Sequence, residues 1–394
     1  MFRLVVAVCW VGALTIAAVA AGPRIGAVST ALTDEQRALA GTFGGAFGTG
    51  EDFRTLLVHP ELVKGVLPFA SYIMAESTLT PRHRELLILR TAWLTRSAYL
   101  WAKHTPRARA AGLSERDLAR VAGRDPLSKA DGFEETILLA ADELHERSFV
   151  TDDTWLALMK EYTVHQLMDA VFTVAEMTML ADLLNSVGID SELRQATVFP
   201  SELPRHATDR SHRPLTAPRV EPVVQAQASP EIRQMLDPSG SGREIAGVYR
   251  TFARHPKLYV PRQVLSEYIR TKSTLSPRVR EMLILRIGWR CRSAYEWAAH
   301  APAGRRAGLT DDQIRMLARP GYDGWSATDT AIVRAADELF DTDTISDGTW
   351  KALDEQFDEK QLLDVLITTG GYRMVSMVLN TFGVPAEPNS EPFP

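Results

Sequence analysis

Three residues raise the question of chemistry: Glu281, Glu296 and His300. A carboxylate beside an imidazole favours the charged imidazole and makes a common proton-transfer pair. Glu296 and His300 stand at i and i+4, on one face of a helix. Glu281 lies 19 residues before His300, about 28 Å along one straight helix and too far to share protons. Gly288 and the run Arg290-Cys291-Arg292-Ser293 interrupt the helical pattern between them. A break there, with a second helix starting at Ser293, folds all three into one acid/base cluster. Plainer readings stand beside it. Ser293-x-x-Glu296 is also a capping box, with Glu296 reaching back to the helix start. Glu281 with Arg280 or Arg286 can be a buried ion pair, and His300 a satisfied core histidine. Tyr295 and Trp297 are candidates to line a substrate, with core packing as the plainer role.

The same block occurs earlier in the chain. Residues 95–104 read TRSAYLWAKH and residues 291–300 read CRSAYEWAAH. From Leu79 to His104 against Leu275 to His300, 17 of 26 residues are identical at a shift of 196. His59-Pro60 matches His255-Pro256, and further matches run from Pro23-Arg24 to Gln166-Leu167. A period this long is a duplicated domain, not a solenoid repeat. Glu85 and His104 match Glu281 and His300, but Leu100 stands where Glu296 does. Only His59/His255 and His104/His300 are histidines at matched positions. The His-Pro pair reads as turn structure at a helix boundary.

The elements that must position these residues read as helices throughout. Thr80-Pro81 and Ser276-Pro277 are cap-plus-proline helix starts. Leu167, Val171, Val174, Met177, Leu180 and Leu184 recur with a helical period, and Gly188 marks the stop. No stretch alternates apolar and polar residues long enough for a sheet. The expectation is all-α, in two domains at 22–198 and 218–385. A linker rich in Pro and charge joins them at 199–217, and a disordered tail follows at 386–394.

The 394 residues carry a net charge of -5 without a dense Lys/Arg run, which argues against nucleic acid as a partner. Arg3 followed by the uncharged run Leu4 to Ala21, ending in small residues, predicts a secretory signal over residues 1–21. Export is the expectation. Membrane anchoring by residues 4–21, or a cytoplasmic protein with a start further downstream, are the alternatives. No other stretch is expected to span a bilayer. Cys9 and Cys291 are the only cysteines; with no CxxC, thiol redox chemistry and thiolate zinc sites are not expected. No ligand cluster has metal spacing. The glycines at 41–50 and PSGSG at 238–242 lack the context of a phosphate loop or a nucleophile elbow.

The segments LSPRVREMLILRIGWRCRSAYEWAAHAPAGRRAGL and LTPRHRELLILRTAWLTRSAYLWAKHTPRARAAGL strongly resemble the carboxymuconolactone decarboxylase family, which shares its all-α fold with alkyl hydroperoxidase D. The shared features are an Arg-Glu pair opening a helix, then Tyr-Glu-Trp-x-x-His, then Ala-Gly-Leu. In the peroxidase branch the two redox cysteines fall at +12 and +15 from the Glu; here those places hold Ser293 and Glu296, or Ser97 and Leu100. The resemblance therefore implies that peroxidase chemistry is lost. It implies cofactor-free acid/base chemistry on a small carboxylated lactone or enol-type substrate, as a decarboxylase, lyase or isomerase. Glu281, Glu296 and His300 would act in the second half, with Glu85 and His104 as the reduced set in the first, and Arg286 or Arg292 would hold a substrate carboxylate. Family members are usually homo-oligomers of one domain, so the tandem chain is expected to fold as an internal pseudo-dimer, open to further self-association. A non-catalytic binding or scaffold protein on the same fold is the alternative.

Overall fold

The computed structural model describes residues 23–48, 50–123, 132–189, 215, 217–388 and 390–394. The expected signal at 1–21, with Cys9, lies outside the described residues, and so does the linker at 199–217 apart from residues 215 and 217. Among the described residues there is no strand. The first half contains α1 (Asp34–Phe47), α2 (Glu51–Leu56), α3 (Pro60–Ala75), α4 (Pro81–Leu94), α5 (Ala98–Ala110), α6 (Glu115–Gly123), α7 (Phe133–Arg147), α8 (Asp152–Leu158) and α9 (Val164–Val187). The second half contains α10 (Pro230–Leu236), α11 (Gly247–Phe252), α12 (Pro256–Glu267), α13 (Pro277–Arg290), α14 (Ala294–Arg306), α15 (Asp311–Leu317), α16 (Ala327–Thr342), α17 (Asp347–Asp354) and α18 (Glu359–Phe382).

Helices α9 and α18 form the centre. Each begins at a capping box, Thr163 with Gln166 and Asp358 with Gln361, which satisfies two orphan N–H groups. Each ends on a left-handed glycine, Gly188 and Gly383. They pack on each other across the pseudo-twofold axis. The approach is close enough that a Cβ on Gly370 would stand 2.7 Å from Met179 Cγ. By length and composition α18 could cross a membrane, contrary to the expectation that only the N-terminal run qualifies. Its most apolar window is 94% buried within the fold: the apolarity serves the interface between the halves.

The two halves form an internal pseudo-dimer. Helix α3 crosses α12 at Gly65, where a Cβ would lie 2.3 Å from Tyr268 Cγ. The histidines of the His-Pro pairs are more than turn formers, because each reaches into the other half. His59 Nε2 lies 3.1 Å from Tyr268 Oη and 3.4 Å from Asp364 Oδ2. Reciprocally, His255 Nε2 lies 3.0 Å from Tyr72 Oη and 3.3 Å from Asp169 Oδ2. Each aspartate also accepts the N–H and hydroxyl of a threonine in its own half, Thr78 or Thr274. All six His, Tyr and Asp side chains are buried, and such groups belong in an interior only when partnered this way. The N-terminal strap of each half also swaps over. Arg24 donates to the Ile345 carbonyl and pairs with Asp347, while Arg219 donates to the Val150 carbonyl and pairs with Asp152.

The tail expected to be disordered instead lies on the second half. Glu391 pairs with Arg305 through two hydrogen bonds of 2.5 and 3.0 Å, and the Phe393 ring packs edge-on against Trp297. An aromatic side chain with an apolar seat outweighs the polar composition of the residues around it.

Candidate active site

The break between Glu281 and His300 is real. Helix α13 ends at Arg290, Arg292 takes a left-handed φ of 54°, and Ser293 caps α14. The chain turns back, and α13 packs along α14. His300 Nδ1 then lies 2.7 Å from Glu281 Oε2, and His300 Nε2 lies 3.5 Å from Glu296 Oε2. Nδ1–H donating to Glu281 leaves Nε2 as the atom facing the cavity and Glu296. The Tyr372 ring stands edge-on to the imidazole at 4.9 Å and fixes its plane.

Glu296 is not the partner in a capping box. The Ser293 N–H is already bonded to the Gly288 carbonyl at 2.9 Å, while the Ser293 hydroxyl accepts from the Glu296 N–H. The carboxylate is therefore left for His300. For the same reason Leu100 costs its helix no cap: the Ser97 N–H is bonded to the Ala92 carbonyl.

The electrostatics suit proton transfer. Burial raises the Glu296 pKa, and His300 and Arg262 offset it only in part. Burial works to lower the His300 pKa, but the Glu281 hydrogen bond and the Glu296 charge outweigh it and raise the value overall. Both groups are thus held toward their protonated forms, as proton donors beside the cavity.

The cavity beside this pair has a volume of about 260 Å³ and is lined by Glu296, His300, Arg262, Tyr249, Tyr295 and Tyr372, among others. Arg262, on α12, is only 7% exposed. Its guanidinium lies over the Phe252 ring at 5.4 Å, and its Nε has no hydrogen-bond partner among the described residues. No carboxylate among the described residues comes within salt-bridge distance of it. Glu176, on α9 of the other half, is wholly buried, with neither oxygen hydrogen-bonded among the described residues. Burial pushes its pKa up to about 8, with Arg262 acting against the rise.

Several expected site residues lie elsewhere. Arg286 is locked to Asp337 by two hydrogen bonds of 2.7 Å and caps the Leu317 and Arg319 carbonyls. It ties α13 to α16 and cannot hold a substrate in this cavity. Arg292 lines a separate groove with Arg286 and Tyr322. Trp297 is 3% exposed and packs against Phe393 rather than lining the cavity. Tyr295 does line it. In the first half, His104 Nδ1 keeps its bond to Glu85 Oε2 at 2.9 Å. Cys291 is buried at the end of α13. Among the described residues no group of three His, Cys, Asp or Glu is placed to hold a metal ion.

Arg262, Tyr249 and Tyr372 are what local spacing missed, and a comparison of the copies exposes them. At the repeat shifts of 196 or 195 they match Val66, Phe53 and Met177. With Glu296 in place of Leu100, four polar side chains replace four apolar ones, and all four converge on one cavity.

The chain matches the Carboxymuconolactone decarboxylase family over residues 60–132 and again over 261–338. The two regions contain Glu85 and His104, and Arg262, Glu281, Glu296 and His300, respectively. No curated protein and no solved structure matches it. The repeat, the all-helical halves and the paired matches agree: each half of this duplicated chain carries a region that matches the carboxymuconolactone decarboxylase family.

Proposed function

We propose that the second half is a cofactor-free acid/base enzyme acting on a small carboxylated lactone or enol-type molecule, as a decarboxylase, lyase or isomerase. The observation that carries this reading is the convergence on one cavity of about 260 Å³ of Glu296, His300 and the buried Arg262, which has no ion-pair partner among the described residues. Arg262 offers a planar fork to a substrate carboxylate. Glu281 holds the imidazole by Nδ1, so Nε2 and Glu296 are left to move a proton. If carbon dioxide leaves, its bonding electrons stay on the substrate carbon, and a proton from the His300–Glu296 pair quenches them. An isomerisation uses the same pair to remove a proton at one carbon and return it at another. With Leu100, Val66, Phe53 and Met177 in the matched places, the first half supports the second and does not share this chemistry. On the strength of its N-terminal segment, the enzyme is proposed to work outside the cytoplasm.

The test is turnover against a panel of lactone and enol carboxylates, followed by carbon dioxide release and by deuterium uptake from D2O. Glu296→Gln and His300→Ala should each lower the rate by about 10²–10⁴-fold, and His104→Ala should leave it nearly unchanged. If His104→Ala were as damaging as His300→Ala, the assignment to the second half would be wrong. If neither mattered, the scaffold reading would replace this one.

A further inference from the structure

One buried group is still without a role. Glu176, on α9 of the first half, is wholly buried, and neither of its oxygens has a hydrogen-bond partner among the described residues. A carboxyl that ties elements together does so through its oxygens, and these tie nothing. Burying it in that condition is costly. Helices α3, α4, α7 and α18 pack against α9, but among the described residues the charge that bears on Glu176 is that of Arg262, on α12 of the other half. Two carboxyls act on Arg262 in turn, Glu296 and Glu176, and neither comes within salt-bridge distance. Glu296 faces the cavity; Glu176 does not line it. At the repeat shift of 195 the second half has Gly371 in the place of Glu176. A Cβ on Gly371 would stand 2.7 Å from Ile269 Cδ1, so the second half has no room for a carboxyl of its own there.

We propose that Glu176 is a specificity-determining residue of the second half's cavity: held neutral within the first half, it leaves the charge of Arg262 for a substrate carboxylate, and once ionised it claims that charge itself. The proposal rests on Arg262 as the seat of the substrate carboxylate and adds the residue that keeps it available. A carboxyl without hydrogen bonds, taken out of water, favours its neutral form, and burial carries Glu176 up to about 8. Below that pH it adds no charge, and Arg262 attracts an anion with its full charge. Above it, a negative charge inside the fold opposes the same anion. The cavity should therefore take carboxylates below about pH 8 and lose them above. Glu296 and His300 line the same cavity and also give up protons as pH rises, so the share of Glu176 is the part that its removal abolishes. Burial holds Tyr295 and Tyr372 above the usual phenol range, and Tyr249 is the remaining phenol on the lining.

The experiment is calorimetric titration of the full chain with tetrahydrofuran-2-carboxylate, a ring carboxylate with no lactone bond to break, from pH 6.5 to 9.5. Tetrahydrofurfuryl alcohol is the neutral analogue. Between those limits the wild type should lose affinity for the carboxylate by about tenfold more than Glu176→Gln does, the scale on which one neighbouring charge moves an equilibrium by a pKa unit or more. The alcohol should show no such difference. Glu176→Leu should behave as Glu176→Gln does, and replaces it if the amide does not fold. The infrared difference spectrum of wild type minus Glu176→Gln should contain the carbonyl stretch of a protonated carboxyl at pH 6.5 and lose it by pH 9.5. Parallel pH profiles in wild type and variant, or no such band, would overturn the role of Glu176 while leaving Arg262 in place. Carboxylate binding that survives Arg262→Ala, or is absent from the wild type at pH 6.5, would instead remove Arg262 as the seat, and this inference with it.

Discussion

Glu296→Leu writes the first half's residue into the second and separates a functional carboxylate from a structural one without a known substrate. The space is already suited to the change, because Glu296 and Leu100 are 5% and 4% exposed at matched positions. The attraction lost is that to His300 at 3.5 Å, about 5 kcal/mol gross at an effective dielectric of 20. Against it stands the desolvation of a buried carboxylate, several kcal/mol in its own right. His300 keeps Glu281 at 2.7 Å, so its charge stays paired. Replacing a buried ion by an apolar side chain of similar volume is typically neutral to stabilising by about 1–4 kcal/mol. Calorimetry at pH 7 should therefore show a melting midpoint unchanged or raised by a few degrees, in a protein that should also lack the proposed acid/base activity. A loss of about 1 kcal/mol or more, the scale of a removed helix cap, would show that Glu296 serves the fold and would refute the reasoning.

Stability should fall as pH rises from about 6.5 to 9. His145 is pushed up to about 9, Asp343 and Glu146 outweighing its burial, so folded His145 holds a proton that the unfolded chain releases from its model value of 6.5. Its contribution is complete below the unfolded value and gone above the folded one. His145→Phe, the residue at the matched Phe340, should flatten that part of a urea-unfolding series run from pH 6 to 9.5; an unchanged slope would count against the account. Gly65→Ala should cost about 1–3 kcal/mol by forcing a side chain into Tyr268, and a neutral result in denaturant titration would mean the crossing of α3 and α12 is looser than described. Cys291→Ser should leave turnover intact, since Cys291 lies on none of the residues lining the acid/base cavity; a loss of rate with the fold preserved by circular dichroism would contradict this.

Much of the architecture was legible because it is local or repeated. The caps at Thr80 and Ser276, the apolar period of α9 and the break before Ser293 each depend on neighbours a few residues away. Leu100 opposite Glu296 pointed to the half that keeps the acid/base pair. What stayed hidden depends on distant partners. Arg286 offered a free guanidinium until Asp337, 51 residues on, arrived beside it. Arg262 looked unremarkable on its own helix and gains its meaning from the cavity that three other elements close around it. His59 and His255 read as turn residues because their tyrosine and aspartate partners include residues of the opposite half.

The most direct test of the central claim is a crystal structure of the full chain soaked with lactone and enol carboxylates. The account predicts a ligand in the second half's cavity, its carboxylate within hydrogen-bond distance of Arg262 and a carbon of the ligand beside His300 Nε2 and Glu296. A carboxylate seated instead in the groove of Arg286 and Arg292, or a second-half cavity that stays empty with every compound, would contradict it.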